Sequence, residues 1–237
     1  MAETSLTFAS TFFFSLAPVL VWFWFVLKED PHPEPRTVTI AAFLLGGLGV
    51  ALSYYGESAI DRFGLSAQLY PHAYYFVSAV IEELAKFLPI ALLILPSRFV
   101  DEPVDAMIYL GFSAIGFAFA ENFLGLVTLE DKLIGTAAVI ALLRSVGANF
   151  LHLLSSVLIG FGYADAKLTR RLFPFVLSFL LAISLHFLYN TLITNEDVAF
   201  FIFPILWAVF FTTTLKEFRF LKLNDGRLPE PARGQSR

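Results

Sequence analysis

The chain contains no cysteine. This excludes disulfides, thiolate nucleophiles and cysteine-based metal sites, and leaves the redox compartment open. Charge is scarce as well: 15% of the 237 residues are Asp, Glu, Lys or Arg, against about 25% in an ordinary soluble domain. Neither a GxSxG nucleophile elbow nor an HExxH helix is present, so two common marks of hydrolases are missing. The apolar runs are continuous and do not alternate with polar residues, which argues against the strands of a membrane barrel. No long polar segment could form a soluble domain. Any chemistry must sit in or beside the apolar segments.

Those segments dominate the chain. Hydrophobic residues make up 57% of it, with 28 Phe. A globule of this size could not hide so much apolar surface, so the solvent must be lipid. Seven stretches approach the roughly 20 residues that cross a bilayer as a helix: 7–27, 37–54, 74–95, 104–127, 138–163, 172–193 and 198–215. The first has no basic residue before it and ends at Lys28-Glu29-Asp30-Pro31 without a small-residue cleavage pattern; it reads as a retained span, not a signal peptide. Pro31, Pro33 and Pro35 separate the first pair, Pro71 precedes the third span, and Pro89 lies inside it as a candidate kink. The expectation is an all-α, polytopic transmembrane bundle of about seven spans in a cell membrane. Residues 1–221 would form the membrane domain and 222–237 a disordered tail.

Lys and Arg set the orientation. With the N-terminus outside, the cytoplasmic segments hold Lys28, Arg36, Arg98, Lys167, Arg170, Arg171 and six more residues beyond position 215, while the outer loops hold only Arg62 and Lys132. Twelve against two predicts N-out, C-in. The segment 55–72 reads as a short outer loop. Phe12-Phe13-Phe14 and Trp22-Phe23-Trp24 read as lipid-facing bulk and interface belt, and Gly46, Gly47, Gly111, Gly116 and Gly160 as close helix contacts.

Ionisable residues inside the spans are costly, at about 2.5–3.5 kcal/mol each near a helix centre. The third span carries Glu82, Glu83 and Lys86; the fourth Glu121 and Asn122; the fifth Arg144 and His152; the sixth His186 and Asn190. Counted at about 1.5 Å per residue, Glu82 lies about 12 Å below the outer face, Glu121 about 9 Å and His186 about 11 Å. His152 joins that level at about 12 Å if counting starts at Arg144, and lies at about 21 Å if it starts at 138. Arg144 itself reads as a snorkelling residue at the outer interface. Four helices thus bring ionisable groups to one depth, where they are expected to meet around one chamber.

At these residues the chain resembles a known family. Glu82-Glu83-Leu84-Ala85-Lys86 looks like the EExxK signature of the PrsW membrane proteases, and Phe117-Ala118-Phe119-Ala120-Glu121-Asn122 resembles their FxxxEN motif. His152 and His186-Phe187-Leu188-Tyr189-Asn190 resemble the later histidine motifs. The matches cover about 75–195 in order. Type II CAAX prenyl endopeptidases, in the same superfamily, show EExxxR, FxxxH and HxxxN. Here Lys86 comes one position earlier than that Arg, and Glu121 stands where those enzymes have His, so the chain is nearer PrsW. The resemblance implies an endopeptidase that cuts a membrane-anchored protein, such as an anti-sigma factor, near the outer leaflet. Lipid and that substrate are the expected partners, with no nucleic acid.

Peptide hydrolysis needs an activated water, an oxyanion donor and a proton for the leaving amine. Ser155-Ser156 beside His152 raises a serine nucleophile, but serine in membrane helices usually bonds the backbone. A carboxylate base suits the site better: Glu82 or Glu83, with Lys86 anchoring the other carboxylate and Asn190 donating to the oxyanion. His152, His186 and Glu121 form a His₂Glu set of the kind that holds catalytic zinc; without metal, the imidazoles would act as donors and proton carriers. Both mechanisms stand at this point. Two readings from other classes are a proton-coupled transporter or channel using the same residues as a relay, and a catalytically silent scaffold.

Overall fold

The computed structural model describes residues 5, 7–129, 133–194 and 196–223, without the side chains of 196–201 and 203. Among the described residues, helix breakers divide the chain into eight helices: α1 Phe8–Glu29, α2 Arg36–Arg62, α3 Pro71–Leu93, α4 Asp105–Val127, α5 Ile134–Val146, α6 Ala148–Thr169, α7 Phe173–Leu192 and α8 Glu196–Leu223. The only β pairing among the described residues is one isolated bridge between Ser5 and Leu133. Thr7 starts α1 with a capping box to Ser10. Pro71 opens α3 and Pro174 lies in the first turn of α7, where a missing N–H costs nothing.

Each of the seven expected apolar stretches is helical, and two boundaries differ. The stretch 138–163 is two helices divided at Gly147. A Cβ at Gly147 would come 2.7 Å from the Tyr189 hydroxyl, so a side chain there would push α7 away. The stretch 37–54 continues as helix to Arg62, which turns half of the expected loop 55–72 into the last two turns of α2. Five segments are long and apolar enough to cross a membrane: α1, α2, α4, the α5–α6 run and α7. The chain is a multi-pass membrane protein. In α3, Glu82, Glu83 and Lys86 interrupt every apolar window. Helix α8 includes Lys222 and Leu223; the rest of the expected tail, 224–237, lies outside the described residues, as does Lys132.

Helix α4 is the axis of the bundle. It is buried on every face from Asp105 to Ala118 and packs against α1, α2, α3 and α6. Backbones approach closely around it. A Cβ on Gly46 would fall 1.9 Å from the Ser113 carbonyl oxygen, and one on Gly116 would fall 1.8 Å from that of Phe43. Small residues at such crossings let membrane helices gain contact area where lipid offers no hydrophobic drive. The outside of the bundle is apolar: Ile40, Leu44, Leu48 and Leu52 recur every fourth residue on α2 and all are exposed. Trp22 departs from its expected place in the interface belt. It stacks on Phe150 at 4.4 Å, and its Nε1–H donates to the Ser145 carbonyl at 2.8 Å. Trp24 does face outward.

Candidate active site

Helices α3, α6 and α7 meet around Glu83, and α4 closes the group from one side. Glu83 and Lys86 are one turn apart on α3, and both are fully buried. Lys86 Nζ donates to Glu83 Oε1 at 2.6 Å. The same oxygen accepts from the Ser155 hydroxyl of α6 at 3.0 Å and lies 2.6 Å from His186 Nδ1 of α7. Lys86 also reaches Ser155 Oγ at 3.3 Å and His152 Nδ1 at 3.2 Å. A buried ion pair of this kind is tolerable only when further hydrogen bonds satisfy its charges. Ser155 is committed to Glu83 and is not set up as a nucleophile. Glu83 Oε2 has no hydrogen-bond partner.

Glu82 points about 100° away from Glu83 on α3 and lies in a different environment. Its Oε2 is 3.5 Å from His186 Nε2, and its Oε1 accepts from the Ser78 hydroxyl at 3.3 Å. His186 therefore stands between the two glutamates, with Nδ1 toward Glu83 and Nε2 toward Glu82. The His152 and His186 rings lie 5.3 Å apart, edge to face. Donor atoms of Glu82, His152 and His186 all fall within 4.8 Å of one another.

The fourth helix contributes through an arginine. Glu121 Oε2 lies 2.8 Å from His152 Nε2 and 2.9 Å from Arg144 Nη2. Arg144 Nε also donates to Asn122 Oδ1, so one guanidinium holds both residues of the Glu-Asn pair. This corrects the snorkelling assignment: Arg144, near the end of α5, turns inward to the carboxylate. The helix breaks at Gly147 shortly after Arg144 and continues as α6. Asn122 Nδ2 reaches the Ser15 carbonyl of α1 at 3.5 Å.

The sequence-derived residues Glu82, Glu83, Lys86, Glu121, Asn122, His152 and His186 thus form one connected network. The compact donor set contains Glu82, where the sequence reading had placed Glu121 with the two histidines. Asn190, one turn beyond His186, is half-buried and makes no hydrogen bond to the network among the described residues. One further acid belongs to it. Glu57 of α2 accepts from the Ser78 hydroxyl at 2.8 Å, and the same hydroxyl touches Glu82. Its assignment to an outer loop hid it; the only signal was Glu57 lying one turn past the apolar stretch. Asn149, one turn before His152, is buried with neither amide atom hydrogen-bonded.

Comparison with known proteins identifies the family of the chain. Residues 34–215 match the model of a family described as PrsW family intramembrane metalloprotease. The chain is 28% identical over 193 residues to Protease PrsW of Geobacillus kaustophilus, covering 78% of this chain and 82% of that one. It is 27% identical over 177 residues to Protease PrsW of Oceanobacillus iheyensis, covering 74% and 79%. No solved structure matches the chain significantly. A family match across most of the bundle, including every helix of the network, shows that this chain belongs to the PrsW family of intramembrane metalloproteases and is a membrane peptidase.

Proposed function

We propose that the chain hydrolyses a peptide bond of a membrane-anchored protein at the centre formed by Glu82, His152 and His186. The observation that carries this reading is the approach of those three donor groups to within 4.8 Å, on three helices of an apolar bundle. The donor set fits a zinc-class ion. Four carboxylates (Glu57, Glu82, Glu83 and Glu121) stand in one network with two permanent cations, Lys86 and Arg144, and a divalent ion would balance the remainder. Such an ion, when bound, polarises the scissile carbonyl and makes bound water nucleophilic near neutral pH.

The protein groups have separable tasks. Glu83 holds His186 through Nδ1, the carboxylate–histidine arrangement that orients metal ligands, and Lys86 neutralises Glu83. Glu121 serves His152 in the same way, steadied by Arg144, and is the more exposed of the two acids facing the histidines. It accepts the proton of the attacking water and returns it to the leaving amine. Asn190, with its amide uncommitted, donates to the oxyanion.

A metal-free variant has its own support. The Lys86 ammonium, 3.2 Å from His152 Nδ1, donates to that nitrogen and leaves the proton on Nε2, facing Glu121. With Nε2 facing Glu121 and Nδ1 facing Lys86, neither nitrogen of His152 is left open to a metal in this arrangement. In this variant Glu82 is itself the base for water.

By the basic-residue asymmetry the N-terminus faces outside and the C-terminus the cytoplasm, with α3 and α8 completing seven crossings. The site then lies below the outer face. An open apolar groove of about 500 Å³ between α1, α2 and α4, lined by Tyr54, Tyr55 and Ala120 among others, suits the approach of a substrate's membrane segment. An anti-sigma factor is the substrate class this reading favours. Residues 1–221 carry the activity, with 222–237 as a cytoplasmic tail. The transporter and silent-scaffold alternatives give way to the peptidase assignment.

The test is cleavage of a membrane-anchored reporter by purified protein in liposomes, with metal content measured on the same samples. Glu82→Gln is expected to leave a folded protein whose cleavage falls roughly 100- to 10,000-fold, and in the metal reading to lose its bound metal. Glu83→Gln is expected to retain more activity than Glu82→Gln. Full cleavage by Glu82→Gln would remove the centre from the mechanism, and metal-free active enzyme would select the second variant.

A further inference from the structure

The α1–α2 and α3–α4 loops meet at the opposite end of the bundle from the glutamate–histidine network. There Glu34, Asp101 and Asp105 bring carboxylate oxygens within 4.8 Å of one another. Asp105 begins α4, about 24 Å along the helix from Glu121. It is buried, with 1% of its surface exposed. Its Oδ2 accepts the backbone N–H groups of Asp101 at 2.9 Å and Glu102 at 2.7 Å. Its Oδ1, equally buried, has no hydrogen-bond partner. Carboxylate oxygens of Glu34 and Asp105 thus lie within 4.8 Å of each other, two acceptors in close company. An orphaned buried oxygen opposite another carboxylate needs a positive charge or a proton in the gap.

The surrounding side chains supply no such cation. Among the described residues no Lys or Arg forms an ion pair with Glu34, Asp101 or Asp105. His32 Nδ1 lies 2.6 Å from Glu102. The Tyr109 hydroxyl donates to Glu34, which places its ring, fully buried, under the cluster. Both loops are already shaped: Asp30 accepts the backbone N–H groups of His32 at 3.1 Å and Glu34 at 3.0 Å, while Asp105 organises the turn at Asp101. A single shared proton would neutralise only one of the three acids. Asp101 is exposed and Glu34 partly so, which leaves an entry from water and room for water ligands.

We propose that this cluster binds a hard divalent cation of the Mg²⁺ or Ca²⁺ class, which ties the two loops to the start of α4. An all-oxygen donor set of carboxylates and water suits these ions and disfavours zinc. The site shares no residue with the proteolytic centre.

The test uses full-length protein in nanodiscs, stripped with EDTA and then titrated with Ca²⁺ or Mg²⁺ at millimolar concentration. Calcium is a poor match for imidazole donors, so it reports on this cluster and not on the histidine centre. The expected result is a rise of several degrees in unfolding temperature with either ion, absent with matched ionic strength of Na⁺, together with one bound calcium per chain. Glu34→Gln and Asp101→Asn abolish both effects, and Glu82→Gln keeps both. No response in the unaltered protein, or a response that survives both loop substitutions, overturns the proposal. So does a chain that ignores calcium while Glu34→Gln raises its unfolding temperature in EDTA, since that result assigns a shared proton to the gap.

Discussion

The two ends of α4 hold the same kind of residue in opposite company. At the Glu121 end Glu82, Glu83 and Glu121 each meet an imidazole or a guanidinium carried in by another helix. At the Asp105 end carboxylates meet one another and a tyrosine. The first arrangement is a network within the bundle in which side-chain cations meet some of the carboxylates and a bound ion would balance the rest. The second lies where two loops reach water and a mobile ion is available to do the matching. Acidity in a membrane protein therefore has two solutions, and burial relative to the water boundary decides which one applies. Lipid supplies no counter-ion, so the network within the bundle must hold its own; the loop cluster need not.

The sharpest way to break this comparison is to remove an inner counter-charge. Lys86→Met leaves Glu83 buried and unpaired, and is expected to cost about 3–5 kcal/mol of stability, with the doubly substituted Glu83→Gln, Lys86→Met chain recovering most of it. Thermal unfolding in detergent reads both; equal losses in the single and double variants would refute the pairing. Next in size is Arg144→Lys. It keeps the charge but loses the planar fork that holds Glu121 and Asn122 together, and cleavage should fall about 10- to 100-fold, as when an outer partner of a ligand is lost. A lysine variant with unchanged kcat would return Arg144 to the lipid-interface role.

The smallest effects lie at the loop-cluster end. Tyr109→Phe should cost about 1 kcal/mol without altering cleavage, and a large fall in cleavage would show that the two ends are coupled. Burial holds the Glu34 carboxyl above the ordinary carboxylate range, with the Tyr109 hydrogen bond pulling the other way. Between the ordinary and the raised value the folded chain keeps a proton that the unfolded chain has lost. In metal-free buffer, stability should thus fall as pH rises through that window. Glu34→Gln should flatten the profile; a slope of the opposite sign would mean that Glu34 gains a cationic partner without added metal.

Helix positions were legible because a bilayer demands long apolar runs and proline marks their ends. The resemblance of Glu82-Glu83-x-x-Lys86 and Phe117-x-x-x-Glu121-Asn122 pointed to the same family that the comparisons identified. Arg144 was misread because a lone arginine near a helix end looks the same whether it reaches lipid or turns inward. Only its ion pair with Glu121, carried by another helix, makes the inward turn visible. Glu57 was missed because hydropathy alone ended α2 too early, and the cluster at Glu34, Asp101 and Asp105 was missed because its members belong to loops far apart in the chain.

By itself, then, the sequence determined which segments are helices, that their solvent is lipid, and which polar residues are too costly to be incidental; composition and period are local properties and need no knowledge of neighbours. The tertiary structure alone decided which oxygen faces which nitrogen. It put Glu83 on Lys86, His186 and Ser155, set Glu82 among the histidines, and left Asp105 Oδ1 without a partner. Helix packing fixes those pairings through contacts between residues up to about a hundred positions apart, and such contacts have no signature in any one stretch of chain.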